Sequence, residues 1–304
     1  MAHDRPALMA LTHSFEYLKP GTLREAVRTL GRYGTRASVL AGGTDLVGLM
    51  SDGMAGPEVV VDIKGLRGLD RIEFKEGVLS IGALVTFSEL RDSPIIARKF
   101  PVIREMTGWL ASVGIRNRAT MVGNLCSAVP CCDSGAVLLV YDAVVEVAGP
   151  KGKRKVPLGD WFLGPRKTVL RRGEIATGVT VPWPKRKHGA CFVKLRRYEG
   201  EDLAQASVTV LALAGNHYRI SFGSVAPRPV AAGRIEGLLD GQPLSDDLMR
   251  QAVALVPEEI APITDIRATK EYRAHMVGVM LERGLRAAVA RLAGGGPEYG
   301  TSLI

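Results

Sequence analysis

Apolar residues recur in two periods along this chain, and the switches between them mark its elements. "FEYL" (15–18) reads as a short strand and Pro20-Gly21 as a turn into a helix. Thr22 is a good N-cap with Glu25 three residues on, the spacing of a capping box. Leu23, Ala26, Val27 and Leu30 repeat at helical spacing, and Gly31 or Gly34 can end the run. "ASVLAGGTDL" predicts a strand, a Gly-Gly turn and a short helix reaching Met50. "EVVVDIKGL", "RIEFKEG" and "VLSIGAL" are strand-like, and residues 86–112 read as helical pieces broken at Pro94 and Pro101. A polar stretch then leads into a second loop, "TMVGN" (120–124), a helix around 134–139 and a buried strand, "AVVEVAG". "EIATGVTVP" is a further strand, stopped by Pro182 and Pro184.

The pattern changes at "PWPKRKHG" (182–189), which marks a domain boundary. Beyond it "ACFVKLRRY", "ASVTVLALAG" and "HYRISFGSVAP" predict three successive strands, and helices are expected over 246–256 and 271–293. The last is amphipathic, with Met276, Val279, Met280, Leu285, Val289 and Leu292 interspersed with arginines. Strands followed by helices indicate an α+β C-terminal domain. Residues 294–304, "GGGPEYGTSLI", are expected to be a flexible tail.

Composition narrows the function classes. Apolar residues make up 46% of the 304, so the chain can build a proper core. The net charge is +9, but "KGKRK" (151–155), Arg171-Arg172 and "KRK" (185–187) are scattered and lack interleaved aromatics. That argues against nucleic acid and leaves solvated loops or a docking surface for a negatively charged subunit. No run of 18 apolar residues is present, so no membrane span is expected. "MAHDRPALMALTHSF" makes a poor signal peptide. Four cysteines form no disulfide scaffold, and a reducing cytoplasm is the simplest location.

Two loops carry the candidate chemistry. In "VLAGGTDL" the glycines let a backbone approach a diphosphate, successive N–H groups can form an anion nest, and Thr44 adds a hydroxyl. The loop matches neither the dinucleotide fingerprint nor a P-loop. "TMVGNL" again combines Thr, Gly and Asn, behind Arg116 and Arg118, with Asp133 following. Two unrelated turns and a two-sided clamp on one extended diphosphate both fit this spacing.

These segments, with "LSIGALVTFSEL", "TMVGNLCSAVPCCDSGAVLLVYDAVVEV", "EIATGVTVP", "FVKLRRYEGEDLAQASVTV", "FGSVAPRPV" and "DIRATKEYRAHMVGVML", occur in an order that resembles the medium, FAD-binding subunit of the molybdenum hydroxylases. That family includes the flavoproteins of xanthine dehydrogenase and carbon monoxide dehydrogenase, and the likeness spans residues 14–293. It implies an α+β protein. An FAD-binding domain of the vanillyl-alcohol-oxidase type would fill residues 11–185. A smaller domain with a three-stranded sheet and a helical bundle would fill 190–293.

The family's first FAD loop falls on residues 39–46 (Val39, Leu40, Ala41, Gly42, Gly43, Thr44, Asp45, Leu46). The second falls on Thr120, Gly123 and Asn124, with Val122 where relatives often have glycine. A valine there must avoid positive φ or be strained. The family's acidic residue matches Asp133, and Leu110, Ile175, Ala176 and Lys194 are placed near the flavin. On its own Lys194 reads as a strand-edge surface lysine; in the family's frame it is a cation that stabilises reduced flavin.

The resemblance assigns this chain no catalytic residue and no metal. It implies a large molybdopterin-binding subunit and a small 2Fe–2S subunit as partners, in a dimer of heterotrimers. Electrons would pass from the 2Fe–2S clusters to the FAD and on to an external acceptor. Cys126, Cys131, Cys132 and Cys191 read as small buried hydrophobes, with an iron–sulfur cluster or a redox-active thiol pair as lesser alternatives. Arg267, Tyr272 and Arg273 read as ties between the last helices and the sheet. A self-contained flavin oxidase or dehydrogenase, and an assembly scaffold that has lost FAD, remain as rival functions; the altered second loop is the hint for the scaffold.

Overall fold

The computed structural model describes residues 13–198 and 200–304. Most of the stretch read as a poor leader, and the first two positions of the expected N-terminal domain, lie outside the described residues. The N-terminal half holds two sheets. A parallel one is built from β1 (Glu16–Leu18), β2 (Ala37–Leu40) and β3 (Val59–Asp62), with β3 in the middle. All four residues of β3 are buried, as a central strand covered on both faces requires.

The second sheet is antiparallel. It comprises β4 (Ile72–Lys75), β5 (Val78–Gly82), β6 (Val144–Gly149) and β7 (Gly152–Pro157), and a small hairpin, β8 (Phe162–Gly164) with β9 (Lys167–Thr168), follows in the chain. β10 (Ile175–Pro182) takes the centre of the five-stranded sheet, ordered β4-β5-β10-β6-β7. The register of β10 on β6 shifts between Ala176 and Gly178, a bulge next to two of the candidate site residues.

The helices follow the local chemistry. Thr22 caps Leu23–Tyr33 by accepting from the Glu25 amide, and Gly34 ends it at φ 58°. Pro94 and Pro101 open the helices Pro94–Lys99 and Pro101–Gly108, where a missing N–H costs nothing. The helix expected over 246–256 is two, Asp246–Ala254 and Val256–Glu259. Pro257 cannot donate to the preceding turn and restarts the helix instead.

The C-terminal sheet has four strands, not the expected three: β11 (His188–Leu195), β12 (Ala206–Leu213), β13 (His217–Gly223) and a two-residue β14 (Val230–Ala231) beside Ser221 and Phe222. Strand alternation gives this sheet two roles. Val193, Val208, Val210, Ile220 and Phe222 pack with Val277, Met280, Leu281 and Leu285 of the helix Lys270–Ala293 in the second core. Each large aliphatic buried there stabilises the fold by roughly 1.5–3 kcal/mol. On the opposite face Ala190, Phe192 and Leu211 join the core of the N-terminal half, so the two halves share a packed interface.

Arg273 ties the last helix to the sheet, donating from its buried guanidinium to the carbonyls of Gln205 and Ser224 and pairing with Asp265. Tyr272 stays exposed.

Residues 294–304, expected as a flexible tail, make specific contacts with the rest of the chain. The Glu105 carboxylate, 3% exposed on the helix Pro101–Gly108, accepts from the Gly300 amide at 2.9 Å and the Phe192 amide at 2.8 Å. It also pairs with Arg291 at 2.9 Å. Arg291 donates to the carbonyls of Ala190, Pro297 and Glu298, and Tyr299 stacks on its guanidinium at 3.9 Å. One carboxylate thus joins the N-terminal helices, β11, the last helix and the tail. Glu105→Gln, which weakens these charge-assisted bonds, is expected to cost about 2 kcal/mol. Urea unfolding should show the loss, and limited proteolysis should cut first near residue 297; an unchanged midpoint would remove Glu105 from this role.

Candidate functional site

The first loop leaves β2 at Leu40, whose carbonyl accepts from the Ile63 amide at 3.1 Å. Gly43 turns the chain at φ 83°, a region that favours glycine, and the helix Leu46–Ser51 follows. The amides of Gly42, Gly43, Thr44 and Asp45 donate to no other described residue. Unpaired backbone donors of this kind in a half-buried loop call for water or a ligand. Gly42 has a packing task besides the ligand approach expected of it. A Cβ there would lie 1.9 Å from the Arg118 carbonyl oxygen and 3.0 Å from the Ala119 Cα, so the glycine lets the first loop lie on the backbone leading into the second.

Thr120 caps the helix Met121–Ser127, accepting from the Gly123 amide at 3.0 Å, which leaves its O–H free to donate. A side chain on Gly123 would meet that hydroxyl at 2.7 Å. Val122 is buried at 2% exposure inside the helix and outside the positive-φ region, so its presence strains nothing. The hint that the second loop was degraded disappears with that. Asp45 accepts from the Ser127 hydroxyl, a second stitch between the loops. Asn124 is partly committed, its Oδ1 accepting from the Cys132 thiol at 3.1 Å. Arg116 corrects the expected basic approach: it is 7% exposed and donates to the carbonyls of Leu110 and Ala111. It thereby fixes the turn at Ala111, where φ is 43°.

Asp133 and Lys194 meet across the domain boundary. Lys194 Nζ lies 2.7 Å from Asp133 Oδ2, with side chains 3% and 5% exposed, and donates to the Trp109 carbonyl at 3.0 Å. Lys194 is therefore neither a strand-edge surface lysine nor an uncompensated cation. Asp133 Oδ1 is buried without a partner.

The two loops and this pair line one cavity of about 720 Å³, within the span of cofactor sites. Every residue that the resemblance assigns to the FAD lines it except Leu40, which sits under Gly43 with its Cδ1 3.0 Å from where a Cβ would be. Ile63, Phe87, Leu110, Ile175 and Ala176 give it buried apolar walls. Sequence reasoning missed Glu174, Arg197, Asp202 and Arg267. The first sits directly before Ile175 and the last in "DIRATKEYR", a stretch read as structural only.

Glu174 is held by Arg154, which donates to it at 2.8 and 2.7 Å, and by the Arg171 amide at 2.8 Å. The Arg154 hydrogen bonds hold its carboxyl below the ordinary 4.5, against the opposing effect of burial. Because the folded-state value is lowered, the pair stabilises the fold above about pH 4.5 and ceases to as pH falls through the folded value. The stability gap between the native chain and Arg154→Leu, from urea midpoints, should be constant near neutrality and shrink in acid. A gap that widens below pH 4.5 would contradict this.

The four cysteines are not gathered. Cys191 lies in the second core, on the face of β11 opposite Lys194, while Cys126 and Cys131 line the cavity. Among the described residues no group of three His, Cys, Asp or Glu side chains could hold a metal. Burial pushes the Cys132 and Cys191 thiols up, away from thiolate formation at neutral pH. Burial, then the Asp133 charge, does the same to Cys131.

Two stitched loops with open backbone donors, set against a second domain that supplies the cation of a buried ion pair, define a two-domain chain built to bind an extended, anionic cofactor. Comparison with known proteins identifies the family. Residues 13–184 match the FAD-binding domain in molybdopterin dehydrogenase, and residues 190–288 match the CO dehydrogenase flavoprotein C-terminal domain. The carbon monoxide dehydrogenase medium chain of Afipia carboxidovorans is 34% identical over 91% of this chain and 98% of its own length. A putative xanthine dehydrogenase FAD-binding subunit of Escherichia coli K12 is 31% identical over 91% and 97%. In structure, the chain superposes on one from a Cu,Mo-CO dehydrogenase with a TM-score of 0.89 at 33% identity, covering 93% and 100% of the two chains. For quinoline 2-oxidoreductase from Pseudomonas putida 86 the TM-score is 0.85 at 26% identity, covering 92% and 98%. The protein belongs to the FAD-binding medium subunits of the molybdenum hydroxylases, a family of oxidoreductases.

Proposed function

We propose that this cavity holds FAD and that the chain relays electrons from the 2Fe–2S clusters of a small partner subunit to an external acceptor. A large molybdopterin-binding subunit would be the site of substrate oxidation. The observation that carries this reading is the convergence, in one cavity, of four unpaired loop amides, two threonine hydroxyls and the orphaned Asp133 Oδ1. Bound FAD supplies a redox centre that accepts electrons singly and releases one or two.

The chain's own residues do the rest. The amides of Gly42, Gly43, Thr44 and Asp45, with the Thr44 and Thr120 hydroxyls, donate to the diphosphate. Asp133 Oδ1 accepts from a hydroxyl of the cofactor, which gives that buried oxygen the partner it lacks. Leu110, Ile175 and Ala176 exclude water from the ring system. Lys194 holds Asp133 in place and anchors it to the Trp109 backbone.

The names of the relatives place such chains in larger assemblies, and the proposed assembly is a dimer of heterotrimers. Free thiols at Cys126, Cys131, Cys132 and Cys191 suit the cytoplasm. Among the described residues no helix is long and apolar enough to cross a membrane.

Native purification through a tag on this chain tests the reading. Two further subunits should accompany it, with molybdenum, iron and FAD in fixed ratio and a mass twice that of the heterotrimer. A chain that purifies alone with flavin and oxidises a small substrate unaided would favour a self-contained oxidase.

A further inference from the structure

The cavity's charged groups do not all cancel. Lys194 is paired with Asp133, Arg197 with Asp202 at 2.9 Å, and Glu174 with Arg154 from outside the cavity. Asp45 accepts from Ser127, and Glu201, the remaining carboxylate of the lining, is exposed to solvent. Among the described cationic residues that line the cavity, Arg267 alone has no carboxylate on its guanidinium, and its Nε is buried without a hydrogen-bond partner.

Its backbone is nonetheless fixed. The Arg267 amide donates to Asp265 Oδ1 at 2.8 Å, its carbonyl accepts from Gln205 Nε2, and Asp265 pairs with the buried Arg273. A guanidinium cannot shed its proton at any ordinary pH, so this is a permanent charge held at the wall of a cofactor cavity. A buried, unpaired donor on such a group costs free energy unless a ligand supplies the acceptor.

The geometry points to Arg267 as the cation that stabilises the negative charge of the reduced flavin, the part that sequence reasoning gave to Lys194. This rests on FAD occupying the cavity. The diphosphate already has its donors in the N-terminal half, at Gly42, Gly43, Thr44 and Asp45. Arg267 comes instead from the C-terminal half, where Lys194 reaches the Trp109 carbonyl beside Leu110, one of the apolar ring-facing walls. Its charge also acts on the thiol of Cys131, which lies two residues before Asp133. Two-electron reduction with uptake of one proton leaves the flavin with one net negative charge on its pyrimidine half. The electrons come from the reduced iron–sulfur partner in the complex, or from a dye reductant in the test. A cation that favours only the reduced form raises the potential; one that binds both forms equally does not.

The test compares the native full chain with Arg267→Gln, Arg267→Lys and Arg196→Gln, measuring FAD dissociation constants and two-electron midpoint potentials by dye equilibration. Arg196 stacks on Trp109 at 4.5 Å, outside the cavity lining, and controls for a general loss of charge. Arg267→Gln should bind oxidised FAD within about threefold of the native chain. Its reduced form should be destabilised about tenfold, a downward shift of about 30 mV for a two-electron couple. Arg267→Lys should keep most of the native potential, and Arg196→Gln all of it. Four results would overturn the assignment: an unmoved potential in an FAD-loaded Arg267→Gln, an equal shift in Arg196→Gln, a tenfold loss of reduced-form stability in Arg267→Lys, or loss of oxidised FAD by both Arg267 variants. If the native chain itself takes up no FAD, the reading of the cavity fails, and that is seen before any variant is made.

Discussion

Gly42→Ala is expected to abolish FAD retention and to lower the unfolding free energy by about 3 kcal/mol or more. The new methyl carbon would stand 1.9 Å from the Arg118 carbonyl oxygen, and both partners are backbone, so no side-chain rotation relieves the clash. The two loops must separate, and with them the donors that face the cavity. Gly43→Val has a different consequence. A Cβ at Gly43 meets only side-chain ends, Leu40 at 3.0 Å and Val47 at 3.5 Å, but φ 83° strains any other residue, by roughly 1–2 kcal/mol. That chain should fold and still fail to retain FAD. Gly48→Ala is the control: nothing lies within 4 Å of its Cβ position, and alanine inside the helix should be neutral or stabilising by up to about 1 kcal/mol. Absorbance of the purified proteins and thermal melts read all three. FAD retained by Gly42→Ala at a native melting temperature would show that the loops need not touch.

Lys194→Met is the second large effect. It leaves the Asp133 carboxylate buried at 4% exposure with one oxygen already orphaned, and is expected to cost about 3–5 kcal/mol. Removing both charges, as Lys194→Met with Asp133→Leu, should cost clearly less than the single change, because burying no charge is cheaper than burying one alone. A double-mutant cycle by urea unfolding measures the coupling directly. Additive effects would mean that the pair makes no net contribution and that Lys194 acts on something else in the cavity.

What was legible in the sequence was local. The Thr22 cap, the breaks at Pro94 and Pro101 and the apolar run in "ASVTVLALAG" each depend on residues a few positions apart, and each element forms where expected. Pro257 is a local signal of the same kind, for the break after Ala254. The two loops were visible as loops, and their shared cavity followed from the family resemblance more than from spacing. What stayed hidden was pairing across distance. Lys194 and Asp133 are 61 residues apart and Arg291 and Glu105 are 186 apart, and no periodicity marks either pair. By sequence alone, therefore, Lys194 is a free cation and the tail is loose. The Gly-Gly pattern points to a ligand and carries no sign that Gly42 also packs on the Arg118 backbone. Arg267 was grouped with Arg273, although only Arg273 has its charge satisfied within the protein.

The stitched loops and the Asp133–Lys194 pair together form the proposed FAD site. Its most direct test is reconstitution of the purified, flavin-stripped full chain with FAD, followed by gel filtration and measurement of bound flavin. One FAD should be retained per chain, and none by Gly42→Ala. A native chain that is folded by circular dichroism yet emerges from the column without flavin would contradict it.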